Sequence, residues 1–235
     1  MSAHRDVPVF TRPVLEDLLS DLQALPQMLS ITGPRRVGKS TLMRQIIRHL
    51  LGQGHAPDRL IYYSLDDPAL FRPGVQPERI VDSLVQEGVR KAESGPVFLF
   101  LDEIQRFERW ELYLKKYYDL QYPVRIVLSG SASSPIFKKS RESLVGRVKD
   151  YHLLPFSFRE FLLFDCREQP SMGAGISEIH DAGRRLMGRL LEDPHHADLG
   201  SVAIRPMDDG LWARAAAVFP RYLTEGGFPE VWGLP

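Results

Sequence analysis

The run Gly33-Pro34-Arg35-Arg36-Val37-Gly38-Lys39-Ser40 constrains this chain more than any other segment in it. It fits G-x-x-x-x-G-K-[ST] in full and stands between an apolar segment, Met28 to Thr32, and a helical pattern from Lys39 to Leu51. A strand that turns into a helix through a glycine-rich loop gathers backbone N–H groups and the positive end of the helix around one point, the environment a polyphosphate needs. In that environment Lys39 reaches the β and γ phosphates, the Ser40 hydroxyl ligates Mg²⁺ and Thr41 contacts the α-phosphate. A glycine-rich surface turn with a solvated lysine is the competing reading.

Around this loop, short apolar runs alternate with longer amphipathic ones, the pattern of a parallel sheet whose strands are joined by helices. Five strands are expected, near 28–32, 60–65, 97–101, 124–128 and 148–154, with the middle three apolar enough to be buried on both faces. Helices are expected over Pro13 to Ala24, Lys39 to Leu51, from Pro77 onward, and over Trp110 to Leu120. Ser157-Phe158-Arg159-Glu160 matches a capping box and predicts a helix through Phe164.

The third strand, Val97 to Leu101, ends in Asp102-Glu103, with one further strand and helix between it and Lys39. Adjacent acids at the end of a buried strand can divide their roles: Asp102 holds Mg²⁺ through water and Glu103 polarises the attacking water. Transfer to a bound substrate would not require the second acid, so the pair argues for hydrolysis. An acidic turn after a strand is the alternative.

Composition narrows the classes. The 235 residues are 43% hydrophobic and 26% charged, which suits one large α/β domain, or a domain of about 150 to 180 residues with a small appendage, and excludes a disordered chain. Thirty basic residues balance thirty acidic ones, so attraction to nucleic acid or anionic lipid would have to be local; Lys138, Lys139, Arg141, Arg147 and Lys149 form a basic cluster that is either a solvated face or a contact to a neighbour's phosphates or nucleic acid. No apolar run approaches the roughly 18 residues of a membrane span, and the single cysteine, Cys166, forms no internal disulfide. A soluble, cytoplasmic protein is the expectation. His195-His196 lack further ligands at metal spacing, and Trp110, Tyr113, Tyr117 and Tyr118 read as packing. Asp66-Asp67 is either a turn before Pro68 or a contact to the metal's water shell.

The ordered series formed by the phosphate loop, the acid pair, Val127-Leu128-Ser129-Gly130-Ser131, Leu144-Val145-Gly146-Arg147, Leu154-Pro155-Phe156-Ser157-Phe158-Arg159-Glu160-Phe161 and Tyr222-Leu223-Thr224-Glu225-Gly226-Gly227-Phe228-Pro229-Glu230 resembles the prokaryotic AAA+/STAND-type P-loop ATPases of the AAA_14 type. The resemblance runs from about Val14 to the end of the sequence. It implies a three-layer αβα P-loop NTPase fold with a five-stranded parallel sheet. From about Gln169 onward Gly, Pro and His become frequent and the helical signal survives only near Ile179 to Leu191 and Leu211 to Leu223, which sets the expected boundary between a core over residues 1–168 and a small helical lid or incomplete domain at 169–235. The resemblance also implies that the fourth strand lies between the first and third. Ser129 would then hold the attacking water or the γ-phosphate, with Ser131 as a competitor and a turn-capping role as the alternative. Arg147 would be an arginine finger reaching a neighbouring subunit's nucleotide, or else a structural ion pair. Pro229 would bring its backbone to the adenine, or else break a helix. Arg214 and Arg221 are the candidates for a lid arginine. Family members continue past the GGFPE segment, so a further domain is expected to be missing or supplied by another chain.

These readings converge on a Mg²⁺-dependent ATPase that couples nucleotide state to a protein partner or a homo-oligomer. A nucleotide-binding switch without appreciable hydrolysis and a DNA-associated ATPase are the alternatives, the latter not indicated by charge.

Overall fold

The computed structural model describes residues 10–71, 74–91, 95–131, 144–192 and 209–229. The chain divides into two compact units between Leu154 and Pro155.

The first unit holds strands β1 (Met28–Gly33), β2 (Leu60–Ser64), β3 (Val97–Asp102), β4 (Val124–Ser131) and β5 (Val148–His152). All pair in parallel in the order β2-β3-β4-β1-β5, which puts β4 between β1 and β3 as expected. Helices α1 (Val14–Ala24), α2 (Lys39–Gly52), α3 (Pro77–Lys91) and α4 (Trp110–Asp119) connect the strands, together with short 3-10 turns at Pro57–Arg59, Pro68–Phe71 and Ile104–Arg106.

Strand parity sorts the core into two clusters. Leu29, Ile31, Phe98, Phe100 and Val127 pack with Leu15, Leu18 and Leu22 of α1 and Leu42, Met43, Ile46 and Leu50 of α2. Leu99, Leu101, Ile126 and Leu128 pack with Val81 and Val85 of α3 and Trp110, Leu114 and Tyr117 of α4. Successive residues of a strand face opposite sides, so two helical layers sandwich the sheet in a three-layer α/β arrangement. Trp110 and Tyr117 are core residues, as their helical spacing suggests.

One burial expectation needs correcting. β1 and β3 are buried along their whole length and β4 over most of it, whereas every residue of β2 is only half-buried. β2 is an edge strand, and the apolar run Leu60-Ile61-Tyr62-Tyr63 gives no sign of how many neighbours the strand will have.

The second unit contains α5 (Phe158–Asp165), α6 (Pro170–Glu192) and α7 (Asp209–Glu225). Its N-terminal helix carries the anticipated capping box: Ser157 Oγ accepts from Glu160 N at 3.3 Å, and Ser157 N donates to the Glu160 carboxylate at 3.0 Å. Helix α5 packs against α6 and α7, and the compact units divide ahead of it. Among the described residues no helix is long and apolar enough to cross a membrane.

Candidate active site

The C-terminal ends of parallel strands β1, β3 and β4 share one edge of the sheet, and the order places them side by side there. Parity does the rest. Phe98 and Phe100 face α2, so Asp102 does too; Val127 faces α2, so Ser129 follows; Tyr62 belongs to the same face on β2. The face is the one from which α2 rises out of the loop after β1. In open parallel sheets this edge is where ligands bind.

The loop itself needs its glycines. Gly33 has φ +155°, and a Cβ there would stand 2.1 Å from the Leu153 carbonyl oxygen, because Leu153 N donates to Thr32 O at 2.6 Å and draws the two segments together. Arg36 (φ 67°) and Gly38 (φ 91°) are left-handed, and Gly38 caps α2 without a side chain. No acidic residue stands in the first turn of α2, so that helix brings no carboxylate of its own to its positive end. Lys39 is buried, with Nζ donating to Gly33 O at 3.2 Å and Pro34 O at 2.8 Å. Burial pushes its ammonium below the ordinary lysine value, while the charges of Glu103 and Asp102 oppose that shift. Arg12, just ahead of α1, donates to Val37 O at 3.3 Å and Leu154 O at 2.9 Å and so braces the loop from beneath.

Asp102 is 3% exposed and closely held. Its Oδ1 accepts the Ser129 hydroxyl and, at 3.1 Å, the N–H of Glu103; its Oδ2 accepts the Tyr62 hydroxyl at 2.6 Å. Ser129 is thus brought to the acid pair as a donor to Asp102. Burial, and then the Asp102 charge, push the Tyr62 phenol far above its ordinary value, so it stays a donor. Glu103 turns left-handed at φ 55° and accepts a hydrogen bond from the Gln105 amide, whose oxygen accepts from Ser131 N at 3.3 Å. A hydroxyl (Ser40) and a carboxylate (Asp102) are hard oxygen donors of the kind Mg²⁺ takes, and the cradle of loop amides at a helix start suits phosphate. Tyr62, Gln105 and Arg12 were not legible as site residues. Parity could have flagged Tyr62, while Gln105 and Arg12 act through a turn and a loop that no periodicity reveals.

Other candidates stand elsewhere. Arg147 precedes β5 and therefore lies at the opposite edge of the sheet from Gly33; it pairs with Asp119 through Nε at 2.7 Å and Nη2 at 3.4 Å. Asp66 pairs with Arg106 at 3.3 Å, and Asp67 accepts from Ala69 N at 2.9 Å, both consistent with the turn. Pro229 is buried in the second unit, where Arg214 pairs with Asp165 and Arg221 with Glu225. Lys138, Lys139, Arg141, His195, His196 and Glu230 lie outside the described residues. No group of three or more His, Cys, Asp or Glu at metal-binding spacing occurs among the described residues.

Comparison with known proteins places this geometry. A family model described as an AAA domain matches residues 26–162. The uncharacterized protein MJ1637 of Methanocaldococcus jannaschii is 29% identical over 198 residues, covering 79% of this chain and 40% of that protein. An uncharacterized protein of Haemophilus influenzae is 30% identical over 132 residues, covering 56% of this chain and 32% of its own length. The chain therefore spans well under half the length of either relative. The S. cerevisiae Hsp104-ADP complex aligns at a TM-score of 0.50 and 17% identity, over 92% of this chain and 33% of that one, a likeness of fold. Since the AAA model takes in the phosphate loop, the acid pair and all five strands, more than half of the sequence, the chain belongs to the AAA-domain family and carries an AAA-type P-loop ATPase domain.

Proposed function

We propose that the first unit binds ATP as its Mg²⁺ complex and hydrolyses the terminal phosphoanhydride. The observation that carries the proposal is that the sheet brings two segments remote in sequence to one edge: Lys39, held by Gly33 O and Pro34 O in the loop after β1, and the buried Asp102 followed by Glu103 at the end of β3. On this reading the amides of Gly33 to Gly38 and the start of α2 hold the β and γ phosphates, with Pro34, Arg35, Arg36 and Val37 forming the wrap, and Thr41 lies beside the α-phosphate. Lys39 exchanges its two loop carbonyls for phosphate oxygens. Ser40 and Asp102 hold Mg²⁺, which when bound would neutralise charge developing on the phosphate oxygens. Glu103 takes a proton from water as the water oxygen bonds to the γ-phosphorus and the bond to the β-bridging oxygen breaks, leaving ADP and phosphate. Ser129 steadies Asp102 from β4. Pro229 approaching the adenine, Arg147 acting on a neighbouring subunit and nucleotide-dependent coupling to a protein partner complete the proposal.

Two variants test the core of it. Lys39→Ala removes the cation that the loop presents to the β and γ phosphates and is expected to abolish tight nucleotide binding. Glu103→Gln is expected to keep binding and to slow hydrolysis by roughly 10² to 10⁴. Wild-type turnover by Glu103→Gln would overturn the hydrolytic assignment, and normal ATP affinity in Lys39→Ala would overturn the loop assignment.

A further inference from the structure

We propose that Tyr62 is a positioning residue for Asp102: its hydroxyl fixes the plane of that carboxylate and aims the remaining lone pair of Oδ2 at the Mg²⁺ side of the site. This inference rests on the reading of Asp102 as the metal-side acid.

A carboxylate offers about four lone-pair sites. Two on Oδ1 are taken by the Ser129 hydroxyl and the Glu103 N–H, and one on Oδ2 by the Tyr62 hydroxyl at 2.6 Å. Donors on both oxygens, arriving from β2 on one side and β4 on the other, block rotation of the group about its final torsion and leave a single direction open. The tyrosine is itself held. Arg44, one helical turn beyond Ser40 and hence on the same face of α2, lies 5.8 Å from the centroid of the Tyr62 ring. The ring therefore spans from the helix that begins at the phosphate loop to the acid at the end of β3.

The chemistry of the donor is as informative as its position. A lysine or arginine in this place would orient Asp102 and also cancel its charge. A phenol is an uncharged donor, so it orients the carboxylate and leaves the full negative charge for a cation. A tyrosine that served packing alone would not need its hydroxyl on a buried acid.

The test is a titration of a fluorescent ATP analogue onto wild type, Tyr62→Phe and Asp102→Asn, each with excess EDTA and over a MgCl₂ series. For Tyr62→Phe the affinity in EDTA is expected to stay within about twofold of wild type, while the Mg²⁺ concentration for half-maximal enhancement rises about tenfold, the usual scale for loss of an outer-shell partner. The comparison with and without Mg²⁺ is made within each protein, so a smaller folded fraction does not change it. A Tyr62→Phe curve that superimposes on wild type, while Asp102→Asn is shifted, overturns the role of Tyr62 alone. If Asp102→Asn also superimposes, the metal-side reading fails and the proposal falls with it.

Discussion

Glu103 carries its carboxylate on a left-handed backbone that costs an ordinary residue about 1–2 kcal/mol, and the fold retains it because the chain must turn sharply from β3 into the Ile104–Arg106 turn. That turn brings Gln105 back onto Glu103, and the other end of the same amide reaches the amide of Ser131 at the end of β4. Gln105 thus ties the proposed base to the neighbouring strand. Gln105→Ala is expected to lower kcat by about ten- to a hundredfold, the scale of a misplaced reacting group, with nucleotide affinity unchanged. Steady-state turnover beside equilibrium nucleotide binding checks it, and an unchanged kcat would remove Gln105 from the mechanism. The acid pair was legible in the sequence because an apolar strand ending in two carboxylates needs only strand periodicity to be read. Gln105 was not, since its role arises from a φ of +55° at the residue two before it, a property no side-chain pattern encodes. Tyr62 was hidden differently: a tyrosine in an apolar run reads as packing until the neighbouring strand and its register are known.

The second unit joins two segments that are far apart in sequence. Phe156 N donates to Gly227 O at 2.6 Å, and the Tyr222 hydroxyl donates to Phe156 O at 2.8 Å, so the Pro155-Phe156-Ser157-Phe158 and Gly226-Gly227-Phe228-Pro229 segments lock into each other. Phe158 stacks edge-on against Phe219 at 4.9 Å and tilts against Tyr222 at 5.4 Å. A Cβ on Gly227 would stand 2.1 Å from Phe156 O, backbone that cannot yield without breaking these bonds. Gly227→Ala is therefore expected to destabilise the unit by more than Ser157→Ala, whose lost capping box costs about 1 kcal/mol. Chemical denaturation of the two variants checks the order; a milder Gly227→Ala would mean that the segments part without consequence. Helix α5 was readable because a capping box is local chemistry. α6 runs from Pro170, well ahead of the Ile179 at which helical periodicity becomes visible, since Gly173 and Gly175 dilute the pattern that burial of Ile176 against its neighbours restores. Composition changes near residue 169 because it reports surface chemistry, while the compact units follow which helices touch.

Arg147 raises the question of assembly. Between it and the phosphate loop lie the five paired rungs from Met28↔Val148 to Thr32↔His152, about 16 Å at the rise of a strand, and the loop continues beyond them. No arginine side chain spans that distance, so Arg147 cannot serve the nucleotide of its own chain. Its pair with Asp119 is partly exposed, with 29% and 38% of the side chains accessible, and surface ion pairs of this kind add little to stability. An arginine cheaply released at the edge opposite its own site has the placement a residue lent to a second copy would need. If it is lent, Arg147→Ala should keep ATP affinity and thermal midpoint near wild type while lowering hydrolysis by about tenfold or more, since a finger stabilises charge that develops only in the transition state. Specific activity of the wild type should then rise with protein concentration. Mixing Arg147→Ala with Glu103→Gln should restore part of the activity, because the intact site of one subunit can meet the intact arginine of the other. Activity independent of concentration, with no recovery on mixing, would leave Arg147 as the structural partner of Asp119 alone.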